Sequence, residues 1–316
     1  MRERAAGLVL GYLADRLLGD PARGHPVAGF GRLARALETR LYDDRVRHGA
    51  AHVLVLVGAA AGAGLVADRA ARHSPAKNTL LTAAATWAVL GGRSLGREAL
   101  LVHGHLLRDD LSAARERVTH LVGRDPSTLD AGGLARATVE SVAENTSDAV
   151  VAPLLWGAVA GPAGLLGYRA ANTLDAMVGH RSPRYERFGW AAARLDDVLN
   201  LLPARACALI AAALAPSAGG QPGKAIRAWR RDAHQHPSPN AGPVEASFAG
   251  ALGVRLGGAN SYAGAVEDRG ALGDGPAPTT ADVPRAVRLA DLVGLSAVGV
   301  SVAIAAAPRP RRRPRR

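Results

Sequence analysis

Three carboxylates, Glu140, Glu144 and Asp148, recur every fourth residue in A137-T-V-E-S-V-A-E-N-T-S-D-A-V-V-A-P-L-L-W156. At that spacing they share roughly one helix face. Like charges so placed repel, so the stripe gains from a cation. Mg²⁺ is the natural candidate, since it is held by one or two carboxylates plus phosphate oxygens. Glu140, Glu144 and Asp148 are therefore the candidate metal ligands. Glu140, Glu144 and Asn145 are candidates for the chemistry itself, with Glu144 and Asn145 the favoured pair. The same spacing also fits a solvated acidic face at a helix entry, where the helix dipole favours negative charge.

Four further groups carry polar chemistry. In Y168-R-A-A-N-T-L-D-A-M-V-G-H180, Asn172 and Asp175 share a helix face with Tyr168, and Arg169 lies beside it. Arg169, Asn172 and Asp175 join the catalytic candidates, because ionisable groups that continue an apolar helix are costly unless they serve a site. R194-L-D-D-V-L-N-L-L-P-A-R205 places Asp196 and Asn200 one turn apart and adds Arg205, a phosphate-clamp candidate. H236-P-S-P-N-A-G-P-V-E245 and G257-G-A-N-S-Y-A-G264 offer His236, Ser238, Asn240, Glu245, Asn260 and Tyr262 to an anionic substrate, although such loops are also ordinary turn chemistry. Near the start, Asp15, Asp20 and His25 complete the substrate-binding candidates.

Positioning these groups falls to apolar segments. Residues 149–168 form an uncharged run of 20, residues 50–67 a run of 18, and 78–92, 206–220 and 292–307 runs of about 15. A spanning helix needs about 20 apolar residues. The fold expected is therefore all-α: a multi-pass integral membrane protein of about 4–6 hydrophobic helices with long polar, partly helical loops. An Ala/Gly-rich soluble helical protein is the alternative. Pro153 and Pro162 within 149–168 suggest a bent or re-entrant segment. Gly58/Gly62 and Gly157/Gly161 have the spacing that lets membrane helices approach. The connector 217–290, rich in Gly and Pro, is expected to be mostly irregular, and no strand alternation supports a sheet. Residues 1–307 read as one membrane-embedded domain and 308–316 as a disordered Arg-rich tail. An Arg cluster directly after an apolar helix favours anionic headgroups. The sidedness of the loops stays open.

The formal net charge of +12 does not mark a nucleic-acid binder, because the arginines are scattered and no recognition module is visible. The single Cys207 excludes an internal disulfide framework. The segment around Lys224 lacks the glycine spacing of a phosphate-binding loop. The residues alone point to a membrane enzyme acting on an anionic substrate with Mg²⁺, or to a small transporter.

Taken in order, G-D-P-x-x-x-H-P from Gly19, the block from Ala137, the block from Tyr168, R-L-D-D-V-L-N-L-L-P-A-R and H-P-S-P-N-A-G-P-V-E-A-S-F-A-G-A-L-G-V-R-L-G-G closely resemble the adenosylcobinamide-phosphate synthases of cobalamin biosynthesis, the CobD/CbiB family of membrane proteins. The resemblance runs from about residue 8 to about 300. G-P-V-E and A259-N-S-Y are minor departures from the pattern, and the Arg tail lies outside it. It implies a C–N ligase that joins aminopropanol or its O-phosphate to the f propionate of adenosylcobyric acid, with ATP consumed. The implied partners are a corrinoid, the amine, ATP, the lipid bilayer of the cell membrane and other membrane enzymes of the corrinoid pathway. Nucleic acid and a tightly bound organic cofactor are not among them. A corrinoid-binding or transport protein without catalysis is the competing expectation.

Overall fold

A computed structural model describes the chain except residues 1, 22–23, 124, 181, 263–264 and 308–316, together with the side chains of 259–262 and 265–267. The expected Arg-rich tail thus lies outside the described residues. Helices dominate, and their pairing follows the small residues. Helix α1 (Arg2–Leu18) lies parallel to α4 (Pro75–Val89), with Gly7 against Thr79 and Thr82 and Gly11 against Ala83 and Thr86. A side chain at either glycine would collide with those threonines, so glycine there lets two backbones touch. α2 (Pro26–Leu41) caps the bundle beside α3 (Val46–Ala71). α3 runs antiparallel to α9 (Pro162–Leu174), Gly64 meeting Pro162 and Gly167 meeting Ala61. Gly58 and Gly62, expected to mediate close packing, face open space instead.

The apolar run 149–168 is a helical hairpin. α7 (Ala131–Thr146) continues through a π-helical turn, Ser147–Val151, into α8 (Ala152–Ala160). Gly161, at φ 63°, reverses the chain into α9. Pro153 explains the π turn. It has no N–H to give, and its ring crowds the carbonyl four residues back, so the helix must widen. The carbonyls affected are satisfied from outside: Gly91 N–H donates to Ala149 O at 3.2 Å and the Tyr168 hydroxyl to Asp148 O at 3.2 Å. Pro203, inside α10 (Trp190–Ala213), repeats the device. The carbonyl it leaves without a partner, Leu199 O, accepts from Trp156 Nε1 at 3.0 Å.

α5 (Gly92–Leu107) and α6 (Leu111–Val118) precede α7, and α13 (Asp282–Ala306) closes the bundle antiparallel to α1 through Arg16–Asp291 at 2.6 Å. The connector 217–290 is far from irregular. It holds α11 (Pro222–Asp232), the fully buried α12 (Ala241–Leu252) and an antiparallel hairpin of β1 (Leu256–Tyr262) and β2 (Ala265–Leu272). Among the described residues the fold is all-α apart from that one hairpin, and two helices, α3 and α13, are long and apolar enough to cross a membrane. The remaining runs are α4, the helical hairpin and the second half of α10, whose Ala204, Cys207, Ala208 and Ala211 are buried in the core.

Candidate active site

Three helical elements deliver their polar residues to one place. Asp148 sits on the first π turn. Asn172 ends α9 just before a second π turn, Asp175–Gly179, and Asp196 and Asn200 lie on α10. Asn172 Nδ2 donates to Asp148 Oδ2 at 3.2 Å and to Asp196 Oδ1 at 3.3 Å. Asn200 Nδ2 donates to Asp196 Oδ2 at 2.9 Å, and the Tyr168 hydroxyl donates to Asn200 Oδ1 at 2.9 Å. Two carboxylates thus converge on one amide, and two amides converge on one carboxylate. Arg169 closes the group, with Nη1 donating to Asn172 Oδ1 at 3.3 Å. Its buried Nε has no hydrogen-bond partner among the described residues.

The electrostatics are those of crowded like charges. Burial first, then Asp196 and Glu144, hold the Asp148 carboxyl well above the ordinary range. Asp175 is pushed up to about 7 by burial and by Asp196, Asp197 and Glu144. Asp196 rises to about 6 through burial, against the hydrogen bonds from Asn172 and Asn200 that favour its charged form. Perturbed carboxyls in a shared pocket are what a catalytic site assembles. Gly179 belongs to the same design, because any side chain there would collide with Asp175 Oδ1.

The opening stripe divides. Steps of four residues drift about 40° each round an α-helix, which already turns Glu140 away from Glu144 within α7, before the π turn begins. Glu144 and Asp148 face the cluster, but Glu140 does not. Its Oε1 accepts from Gly257 N–H at 2.8 Å, and Arg136, 3.9 Å from it, donates to Gly257 O. Glu140, expected as a metal ligand and catalytic group, is a mount for the β-hairpin. Among the described residues, no three His, Cys, Asp or Glu side chains are gathered as a metal cage. Asn145 donates back to Ser141 O at 3.0 Å rather than to Glu144.

The substrate-binding candidates separate likewise. Asp15 caps α5 from a neighbouring helix, accepting from Arg93 N–H at 3.2 Å. His25 caps α2 and pairs with Asp20 at 3.3 Å. Arg205 donates to Asn240 Oδ1 at 2.8 Å, and Asn240 Nδ2 donates to Asp197 O at 2.8 Å, so both fasten the 236–240 loop to α10 beside the cluster. Ser238 Oγ accepts the first amides of α12, from Asn240 and Ala241. His236 Nε2 stands 3.6 Å from Glu245 Oε1, and Arg269 of β2 reaches the same oxygen at 4.0 Å. Asn260 and Tyr262 lie on β1, where side chains fall outside the described residues. Arg136, Arg269, Tyr168 and Asp232, which accepts from Gly273 N–H at 2.8 Å, complete the arrangement and are absent from the expected set. Arg136 had a visible signal in its i,i+4 spacing to Glu140, and Tyr168 in the helix face it shares with Asn172 and Asp175; Arg269 and Asp232 had none.

A mainly helical protein with a buried acid–amide cluster at one end of its bundle is the class these observations define. A family model described as CobD/Cbib protein matches residues 8–290, and the chain belongs to the CobD/CbiB family. It is 53% identical over 307 residues to "Cobalamin biosynthesis protein CobD" of Mycobacterium tuberculosis, covering 97% of both chains. It is 48% identical over 287 residues to the protein of that name from Chromobacterium violaceum, covering 89% of this chain and 90% of that one. The Rhodobacter capsulatus protein is 42% identical over 296 residues, with 90% and 92% covered. No solved structure matches.

Proposed function

We propose that the protein is a membrane-embedded, ATP-dependent amide ligase of cobalamin biosynthesis, joining aminopropanol or its O-phosphate to the f propionate of adenosylcobyric acid. Membership of the CobD/CbiB family supports the pathway. The observation that carries the chemistry is the cluster of Asp148, Asn172, Asp175 and Asp196, with Arg169 at its edge. A carboxylate and an amine do not condense in water. A propionate oxygen attacks the γ-phosphorus of ATP, and ADP leaves. The amine nitrogen then attacks the acyl carbon, phosphate departs, and one N–H proton must be removed. Asp175, at about 7, is tuned to take that proton at neutral pH. The Arg169 guanidinium is suited to orient phosphate oxygens.

The donor set fits Mg²⁺: Glu144, Asp148 and Asp196 are mutually repelling hard oxygen donors, which leaves Asp175 for the proton. Mg²⁺ keeps several waters and needs only one or two carboxylates, so a preformed cage is unnecessary. When bound, it would offset the charge on the triphosphate.

Membrane embedding is supported by α3, which is apolar along its length yet only 22% buried over its most apolar stretch. A core helix of a soluble protein would be mostly covered. The test is turnover by detergent-purified protein given adenosylcobyric acid, aminopropanol phosphate, Mg²⁺ and ATP. Amide product with ADP release supports the proposal. Folded protein that binds the corrinoid without product formation points to the binding or transport alternative.

A further inference from the structure

The helix ends of the bundle fall into two sets. Gly7 meets Thr79 and Thr82, so α1 and α4 begin at the same end. Arg4 Nη1 donates to Val159 O at 3.1 Å and to Ala158 O at 3.3 Å, which brings the tip of the helical hairpin to that end as well. Gly64 touches Pro162, so the last turns of α3 lie there too. α13 runs antiparallel to α1, with Gly294 against Tyr12 and Asp291 on Arg16, so its C-terminus arrives at the same place. Asp148, Asn172, Asp175 and Asp196 stand at the opposite end, where α1, α4 and α9 finish.

From this we infer that the protein is inserted one-sidedly: the start of α1, the end of α13 and the α3–α4 turn on one leaflet, the acid–amide cluster and the long connectors on the other. The inference rests on the membrane reading proposed above and adds the sidedness. The chain-end face carries the chemistry that anionic headgroups recognise. Arg69, Arg72 and Lys77 are exposed there, while Asp68 is engaged by Asn78 Nδ2 at 3.0 Å. Between the two ends the outward surface is apolar, with Val66 65% exposed on α3 and Leu295 59% exposed on α13. A basic rim beneath an apolar belt matches an anionic lipid surface meeting hydrocarbon. The helical hairpin makes the parity work, because it enters and leaves on the site-bearing side and moves no connector across.

The native chain suits the test, since its single cysteine, Cys207, is fully buried. Ala76→Cys, with Lys77→Cys as an alternate, marks the chain-end face, and Ser112→Cys on α6 marks the site-bearing face. All three positions are exposed. Full-length variants are labelled with a membrane-impermeant maleimide in right-side-out and in inverted vesicles, after alkaline carbonate washing. Retention in the membrane, with the 76 or 77 thiol and the 112 thiol labelled from opposite sides, is expected. Retention with both thiols labelled from the same side overturns the sidedness. Release by carbonate overturns the membrane reading beneath it.

Discussion

Asp175 and Asp196 carry the proposed chemistry at the residue scale, and their raised affinity for protons has a sign that can be measured. A free carboxyl titrates near 3.9, whereas Asp175 holds its proton up to about 7 and Asp196 up to about 6. Between those values the folded protein binds more protons than the unfolded chain. Stability without divalent cation therefore falls as pH rises from about 4 to about 7. Asp175→Asn, fixed in the neutral form, should flatten that slope in thermal scans from pH 5 to 8 while abolishing turnover. An unchanged slope would remove Asp175 as its source. Asp196→Asn and Glu144→Gln should each lower kcat by about 10²-fold or more, the range for losing a positioned acid–base or charge-stabilising group. Glu140 should behave differently. Glu140→Gln, which keeps an acceptor for Gly257 N–H, should retain activity. Glu140→Ala should cost about 1–3 kcal/mol through the unsatisfied amide, seen as faster hydrogen exchange at Gly257.

At the scale of elements, the prolines do more than interrupt helices. Pro153 and Pro203 each disturb the carbonyl pairing of their own helix, and donors from elsewhere, Gly91, Tyr168 and Trp156, meet the carbonyls. Trp156→Phe keeps an aromatic ring, though a smaller one, and leaves Leu199 O without its donor. A loss of about 1–3 kcal/mol is expected, together with reduced turnover, because the same stretch of α10 carries Asp196 and Asn200. Unaltered denaturation midpoints would show the bond to be dispensable. Much of this site was legible in the chain. Asp148, Asn172, Asp175, Asp196 and Asn200 were singled out from helical spacing and from a resemblance, and the fold brings them together. Glu140 was misplaced because a spacing of four drifts about 40° per step even on an unbroken α-helix, and its partner, Gly257 N–H, lies far away in the chain. The β-hairpin escaped notice because Gly257, Gly258 and Gly270, all at positive φ, break the alternation that marks a strand. Arg269 could not be paired with Glu245 from sequence, since nothing local links a strand residue to a helix 24 positions earlier.

At the scale of the whole molecule, the inferred one-sided insertion and the proposed use of ATP together predict an absolute orientation. ATP is cytoplasmic, so on these two proposals the site-bearing end faces the cytoplasm and the end of α13 at Ala306 faces outside. A C-terminal alkaline phosphatase fusion should therefore be active and a C-terminal green fluorescent fusion dark. The reverse result, with the two thiols still on opposite sides, would leave the sidedness standing and count against cytoplasmic ATP as the co-substrate.

The helix from Ala131 through the π turn to Ala160 has one more consequence. It spans about 45 Å at 1.5 Å per residue. Its first part bears the mount of the β-hairpin, its middle bears Asp148, and its far end lies at the depth of Gly161. On the proposed membrane embedding, a single strut ties the acyl-chain region to the proposed reacting groups. In reconstituted bilayers, turnover should vary with lipid acyl-chain length, because compressing or stretching the hydrocarbon pushes on the same rod that holds the aspartate.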